Sequence, residues 1–161
     1  MARRRYLYRG RILALALEDE RWEVVEHKDA VAVLAERDGR VLVVEQYRVA
    51  IGARTLELPA GLIEPGEAPR QAARRELMEE AGFDARLREV LSFYTSPGFT
   101  DERITLFYAE DLTERRRPPD PDEALTVRWV ETERLLADLH AGRLRTSSPT
   151  VAGLLWLASR R

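Results

Sequence analysis

Apolar residues fall along this chain in short bursts whose spacing switches between every second residue and every third or fourth, which predicts strands interleaved with a few helices. Runs at 31–35 and 41–47 flank Asp38-Gly39, a pair suited to the positive φ of a tight hairpin turn. Segments 6–17 and 22–27 read as strands around an acidic turn at 18–20. Ile12, Ala14 and Ala16 alternate there with Leu13, Leu15 and Leu17, so the strand is apolar on both faces and a covered position is expected. Further strands are expected over 89–94, 104–109 and 125–130. Helices are expected over 131–140, ended by Gly142, and over 149–159, opened by Ser148 as N-cap. The stretch 115–122 is rich in arginine and proline and cannot continue a strand or helix, so it reads as a mobile connection.

One more helix is predicted over 69–81. Pro65-Gly66 makes a turn before it, Pro69 suits its first turn, and Gly82 is ready to adopt a left-handed cap at its end. At about 100° per residue, Ala73, Leu77 and Ala81 form an apolar stripe, and Glu80, Glu76 and Glu79 fan out from one edge of it. Carboxylates that close repel one another, and a divalent cation would relieve the repulsion. Mg²⁺ takes oxygen ligands, keeps several waters and usually binds through one or two carboxylates plus substrate phosphates. Arg75, four residues before Glu79, is placed to orient it, and the negative end of the helix dipole also favours a cation.

These carboxylates belong to a longer pattern with fixed residues at Gly61, Glu67, Arg75, Glu76, Leu77, Glu79, Glu80, Gly82 and Phe83. The pattern resembles the Nudix box in full, and the resemblance extends over most of the chain from Ala30 onward. It implies an α/β fold with a mixed sheet sandwiched between helices, here as a Nudix domain over 29–161, preceded by an N-terminal antiparallel hairpin over 1–28. It also implies an enzyme that hydrolyses a nucleoside diphosphate derivative with two or more Mg²⁺ or Mn²⁺ ions. The metal would be held by the carbonyl of Ala60 and by Glu76 and Glu80, with Glu79 close by.

Pro97 stands fifteen residues beyond Gly82, within Ser96-Pro97-Gly98-Phe99-Thr100-Asp101-Glu102. This second motif resembles the signature of the ADP-ribose pyrophosphatase subfamily. The loop, with Pro97, Gly98 and Phe99, would shape a pocket for the terminal ribose, and Glu102 would accept hydrogen bonds from its hydroxyls. Similar enzymes place an arginine where Arg48 stands to clamp the pyrophosphate, since a planar guanidinium fork matches phosphate oxygens. Glu57, just before the box, joins the same substrate set. Arg21 and Glu23, with Ile12 on the neighbouring strand, resemble the part of the family that reaches adenosine from the other subunit of a homodimer. Trp22 beside them is expected to be buried against the core, although its ring could also stack on adenine. The general base differs among related enzymes. It comes either from the box helix or from a later loop, where Glu123 is the best candidate.

Composition restricts the alternatives. The net charge of -2 offers no general attraction to nucleic acid or membrane. No signal-like segment or run of spanning length is present, so a cytoplasmic protein is expected. The absence of cysteine removes thiol catalysis and cysteine-bound zinc. His27 and His140 stand apart without metal-ligand spacing and are expected to be structural or exposed. Two rival readings remain. One is hydrolysis of other nucleotide sugars such as GDP-mannose, and the other is a non-catalytic sensor of ADP-ribose-like ligands that regulates transcription. Intact box carboxylates, and room for only two helices after Ala109, argue against the sensor.

Overall fold

A computed structural model describes residues 3–118 and 124–161. Ten strands and three helices follow the order β1 Arg4–Arg9, β2 Leu13–Glu18, β3 Trp22–His27, β4 Ala30–Arg37, β5 Arg40–Arg48, β6 Ala53–Glu57, β7 Ala60–Leu62, α1 Pro69–Glu76, β8 Phe83–Tyr94, β9 Arg103–Glu114, β10 Thr126–Glu131, α2 Thr132–His140 and α3 Ser148–Ala158. Strands β1, β2 and β3 make a separate antiparallel sheet. The central sheet runs β10-β5-β4-β9-β8, with β6 paired to β5 and β7 to β4. Only β4 and β9 run parallel among these pairs, so the sheet is mixed, as expected.

Strand β4 shows why the sheet needs cover on both sides. Ala30, Ala32 and Leu34 join one apolar cluster with Leu135 and Leu136 of α2 and Leu154 and Leu157 of α3. The alternate residues Val31, Val33 and Ala35 join the other, with Ala72, Ala73 and Leu77 of the box helix. The period-two alternation of a strand thus sends one half of a continuous apolar run to each helical layer. Each fully buried leucine or valine contributes about 1.5–3 kcal/mol relative to exposure. The hairpin between β4 and β5 turns on Asp38 (φ 52°) and Gly39 (φ 69°), both left-handed as its sequence requires.

Four expectations are corrected. The strand expected over 6–17 is two strands, because Gly10 starts a turn in which its N–H donates to the Leu13 carbonyl at 2.8 Å. A Cβ on Gly10 would lie 2.8 Å from the Tyr8 ring, so glycine permits that reversal. Ile12 consequently sits in the turn, 48% exposed. Trp22 is 58% exposed instead of buried, with the Arg21 guanidinium over its ring at 4.5 Å. The last helix is capped by Ser147 and begins at Ser148. Finally, the box helix does not stay α-helical to residue 81: α1 passes into one π-helical turn, Leu77–Ala81, before Gly82 ends it at φ 77°.

Candidate active site

The box helix is fixed from its N-terminus upward. Gly66 takes φ 78° in the preceding turn, and the Ala68 N–H donates to the Gln71 side chain at 2.9 Å. The Glu67 carboxylate accepts the Glu64 N–H at 3.0 Å and receives Arg75 bidentately, Nε to Oε1 at 2.9 Å and Nη2 to Oε2 at 3.0 Å. Those hydrogen bonds from Arg75 hold the Glu67 carboxyl below the usual carboxylate range. The same guanidinium donates to the Leu62 carbonyl at 2.9 Å, to Glu76 at 2.5 Å and to Glu79 at 3.2 Å. Arg75 therefore ties loop and helix together and offsets part of the repulsion among the box carboxylates.

Two of those carboxylates are turned inward. Glu76 and Glu80 are buried, at 8% and 7% exposure. The Ala60 N–H donates to Glu80 Oε2 at 2.9 Å, which joins the helix to strand β7. A Cβ on Gly61 would fall 2.1 Å from the Glu76 carboxyl carbon, so the absence of a side chain there is what admits the carboxylate to the backbone of β7. Glu80 is tied to Ala60 and Glu76 lies against Gly61, while Glu79 is drawn to Arg75. Among the described residues no three His, Cys, Asp or Glu side chains come close enough to grip an ion by themselves. The oxygens that do come together are those of the buried Glu76 and Glu80 carboxylates, against the backbone of strand β7. They fit a hard divalent cation that keeps waters and takes one or two carboxylates.

Strand β7 is itself set by its neighbours. Leu58 N–H donates to Thr150 Oγ1 of α3 at 2.9 Å, and the Pro59 carbonyl accepts the Val33 N–H of β4 at 2.9 Å. Gly153 lets α3 lie against Leu58, since a Cβ there would sit 2.8 Å from a leucine methyl. Just upstream, Glu57 is 3% exposed and receives Arg48 bidentately, at 3.0 and 2.8 Å, together with the Thr55 hydroxyl at 2.6 Å. Burial would push the Glu57 carboxyl up, but the hydrogen bonds from Arg48 and Thr55 outweigh it and the group lies below its ordinary value. Glu57 holds Arg48, whose half-exposed guanidinium carries the pair's outward face.

The Pro97 loop is closed at its neck by the Thr95 N–H donating to the Glu102 carbonyl at 3.1 Å. Inside it, the Phe99 and Thr100 N–H groups both donate to the Ser96 carbonyl, at 3.1 and 3.0 Å. Phe99 is 56% exposed. Gly98 does not adopt a left-handed φ, and a Cβ built on it meets nothing within 4 Å. Neither backbone nor packing requires glycine at that position. Glu23 stands exposed on β3, and Arg21 and Ile12 stand exposed in the turns that precede β3 and β2. Glu123 lies outside the described residues. Of the connection expected over 115–122, residues 119–122 also lie outside the described residues, while Arg115 N–H donates to the Gly82 carbonyl at 2.9 Å and Arg117 N–H to the Met78 carbonyl at 3.2 Å. Sequence reasoning missed the contributions of Thr55, Thr95 and His27, which carry no motif and act by touching motif residues.

Residues 25–150 match the NUDIX domain family, and the chain belongs to it; it is a Nudix hydrolase. Among its relatives, an ADP-ribose pyrophosphatase of Bacillus subtilis (strain 168) is 40% identical over 139 residues, covering 79% of this chain and 75% of that protein. A methanol dehydrogenase activator of Bacillus methanolicus is 38% identical over 135 residues, covering 78% and 73%. An ADP-ribose pyrophosphatase of Mycobacterium tuberculosis is 38% identical over 162 residues, covering 92% and 78%. A crystal structure of an ADP compounds hydrolase shares the fold with a TM-score of 0.81 at 22% identity, over 99% of this chain and 95% of that one. No helix among the described residues is long and apolar enough to cross a membrane.

Proposed function

We propose that this chain hydrolyses ADP-ribose to AMP and ribose 5-phosphate with Mg²⁺ or Mn²⁺. The observation that carries the reading is the buried approach of Glu76 and Glu80 to Ala60 and Gly61, in a chain whose sequence has Pro97 at the subfamily's distance from the box. The names of two relatives, at 40% and 38% identity, support the same substrate. Ala60, Glu76 and Glu80 would hold the metal, with Glu79 in reserve on Arg75. When bound, the cations neutralise the pyrophosphate and lower the pKa of a coordinated water.

The remaining work falls to side chains. Arg48, held by Glu57, clamps phosphate oxygens through its outward face. Glu102 accepts a hydrogen bond from a ribose hydroxyl, while Pro97, Gly98 and Phe99 form the wall around that sugar. Hydrolysis makes one bond from water oxygen to phosphorus, breaks one P–O bond of the bridge, and delivers the water proton to a carboxylate. Glu123 takes that role, as the acidic residue just before the apolar Ala124-Leu125 that leads into β10.

Residues 1–28 form the dimerisation segment in this reading, with Ile12, Arg21 and Glu23 completing the partner's adenosine pocket. Exposed Leu7, Tyr8 and Trp22 on one small sheet, with Ile12 in its first turn, support it, because such apolar surface gains by being covered. Turnover of ADP-ribose measured beside GDP-mannose and other nucleotide sugars tests the substrate. Preference for GDP-mannose would move the enzyme to another branch of the family.

A further inference from the structure

We propose that His27 is a positioning residue for sugar recognition, acting through Glu102; the inference rests on the reading above that Glu102 meets a ribose hydroxyl. His27 ends strand β3, far in sequence from the box and from the Pro97 motif. The fold nevertheless lays the Pro97 loop directly along this strand. Val25 N–H donates to the Phe99 carbonyl at 2.7 Å, Asp101 N–H returns to the Val25 carbonyl at 3.3 Å, and Val25 and Thr100 form a parallel bridge. One residue on, the Asp101 carboxylate accepts the His27 N–H at 2.8 Å. The loop that would shape the sugar pocket is therefore splinted by the last three residues of β3.

At the end of that splint, the His27 ring meets the Glu102 carboxylate, with Nδ1 3.3 Å from Oε1. The other carboxylate oxygen accepts the Thr95 hydroxyl at 2.8 Å. Glu102 is thus held by the Thr95 hydroxyl on one oxygen and bounded by the His27 ring at the other, which restricts its rotation about the final side-chain bonds. His27 Nδ1 also lies 2.8 Å from the Lys28 carbonyl. A carbonyl only accepts, and an ionised carboxylate only accepts, so the shared nitrogen must carry the proton. The Lys28 carbonyl fixes the ring with a proton on Nδ1, and the Glu102 carboxylate lies beside that N–H. Both side chains are mostly covered, at 19% and 23% side-chain exposure, so the contact is shielded more than a surface pair would be.

A carboxylate pre-aimed by a hydroxyl donor and flanked by a ring N–H recognises a hydroxyl without first losing rotational freedom, and removing the flanking ring weakens binding more than chemistry. Steady-state kinetics on ADP-ribose should therefore show KM about tenfold higher in His27→Ala, with kcat changed by less than about threefold. His27→Asn should recover most of the loss, because its amide nitrogen stands near the position of Nδ1. In a Glu102→Ala background the His27→Ala change should have little further effect, and that non-additivity separates a role through Glu102 from general damage to the loop. Nitrogen-15 chemical shifts of the His27 ring should show Nδ1 protonated in the unmodified protein. An unchanged KM in soluble His27→Ala, additive effects in the double variant, or an Nε2–H ring would each overturn the proposal. Failure of the unmodified protein to hydrolyse ADP-ribose would instead overturn the substrate reading on which it rests.

Discussion

Gly61 and Glu76 occupy what would be the same space if residue 61 had a side chain: its Cβ would stand 2.1 Å from Glu76 Oε1 and 2.5 Å from Oε2. The first glycine of the box is therefore a requirement of the carboxylate and not of the backbone, since Gly61 is not among the residues with positive φ. Gly61→Ala should displace the end of the Glu76 side chain, which is cheap for the fold because a flexible group can rotate away. The expected result is a loss of roughly 10²-fold or more in kcat with a thermal midpoint within a few degrees of the unmodified protein. Near-normal turnover would show that Glu76 need not sit against β7.

Gly98 is the opposite case, a glycine with open space around it and an ordinary φ. Gly98→Ala should leave stability unchanged or raise it by about 0.4–1 kcal/mol, because alanine restricts the unfolded chain. Against ADP-ribose its KM should rise several-fold if the sugar passes close to that backbone. Thermal unfolding and KM, measured on one preparation, separate the two effects.

Asp84 ties the start of β8 to the box helix. It accepts Arg74 bidentately at 2.6 and 2.6 Å and Arg115 at 3.3 Å. Hydrogen bonds from Arg74 lead the causes that hold the Asp84 carboxyl down at about 2. A group depressed in the folded state stabilises above its unfolded value, about 3.9, and that contribution disappears as pH falls through the folded value. Asp84→Asn should thus cost about 1–3 kcal/mol at pH 7, in the range for a hydrogen bond to a charged group. The difference between the two proteins should shrink between pH 4 and pH 2, about the window those values define. Urea unfolding at both ends of that window checks it, and a constant difference would mean that charge is not the cause.

Much of the site could be read from the sequence because its parts are local. The box helix, its proline start and its glycine end are set by residues within a few positions of one another, and the Asp38-Gly39 hairpin likewise. What escaped detection depends on distant partners. Strand β8 begins at Phe83, but its first half alternates with Asp84, Arg86 and Arg88, whose ion pairs to Arg74, Asp111 and Glu110 make charged residues compatible with a strand. Strands β6 and β7 are short and separated by Leu58 and Pro59, so no run of apolar residues marks them. The π-helical turn at Leu77–Ala81 leaves no mark in composition. In the fold, the Met78 carbonyl within it accepts the Arg117 N–H, a contact across 39 positions. Trp22 was misread for a related reason: nothing local distinguishes an aromatic on an outlying sheet from one in the core.

The central claim is that buried Glu76 and Glu80 serve metal-dependent cleavage of ADP-ribose. Chromatographic analysis of products after incubation with ADP-ribose tests it most directly, with Mg²⁺ or Mn²⁺, with chelator, and with Glu80→Gln. The account predicts AMP and ribose 5-phosphate in equal amounts with metal, none with chelator, and a rate lower by on the order of 10² to 10⁴ in Glu80→Gln while the fold persists. Cleavage that survives chelation, or a Glu80→Gln protein as fast as the unmodified enzyme, would contradict it.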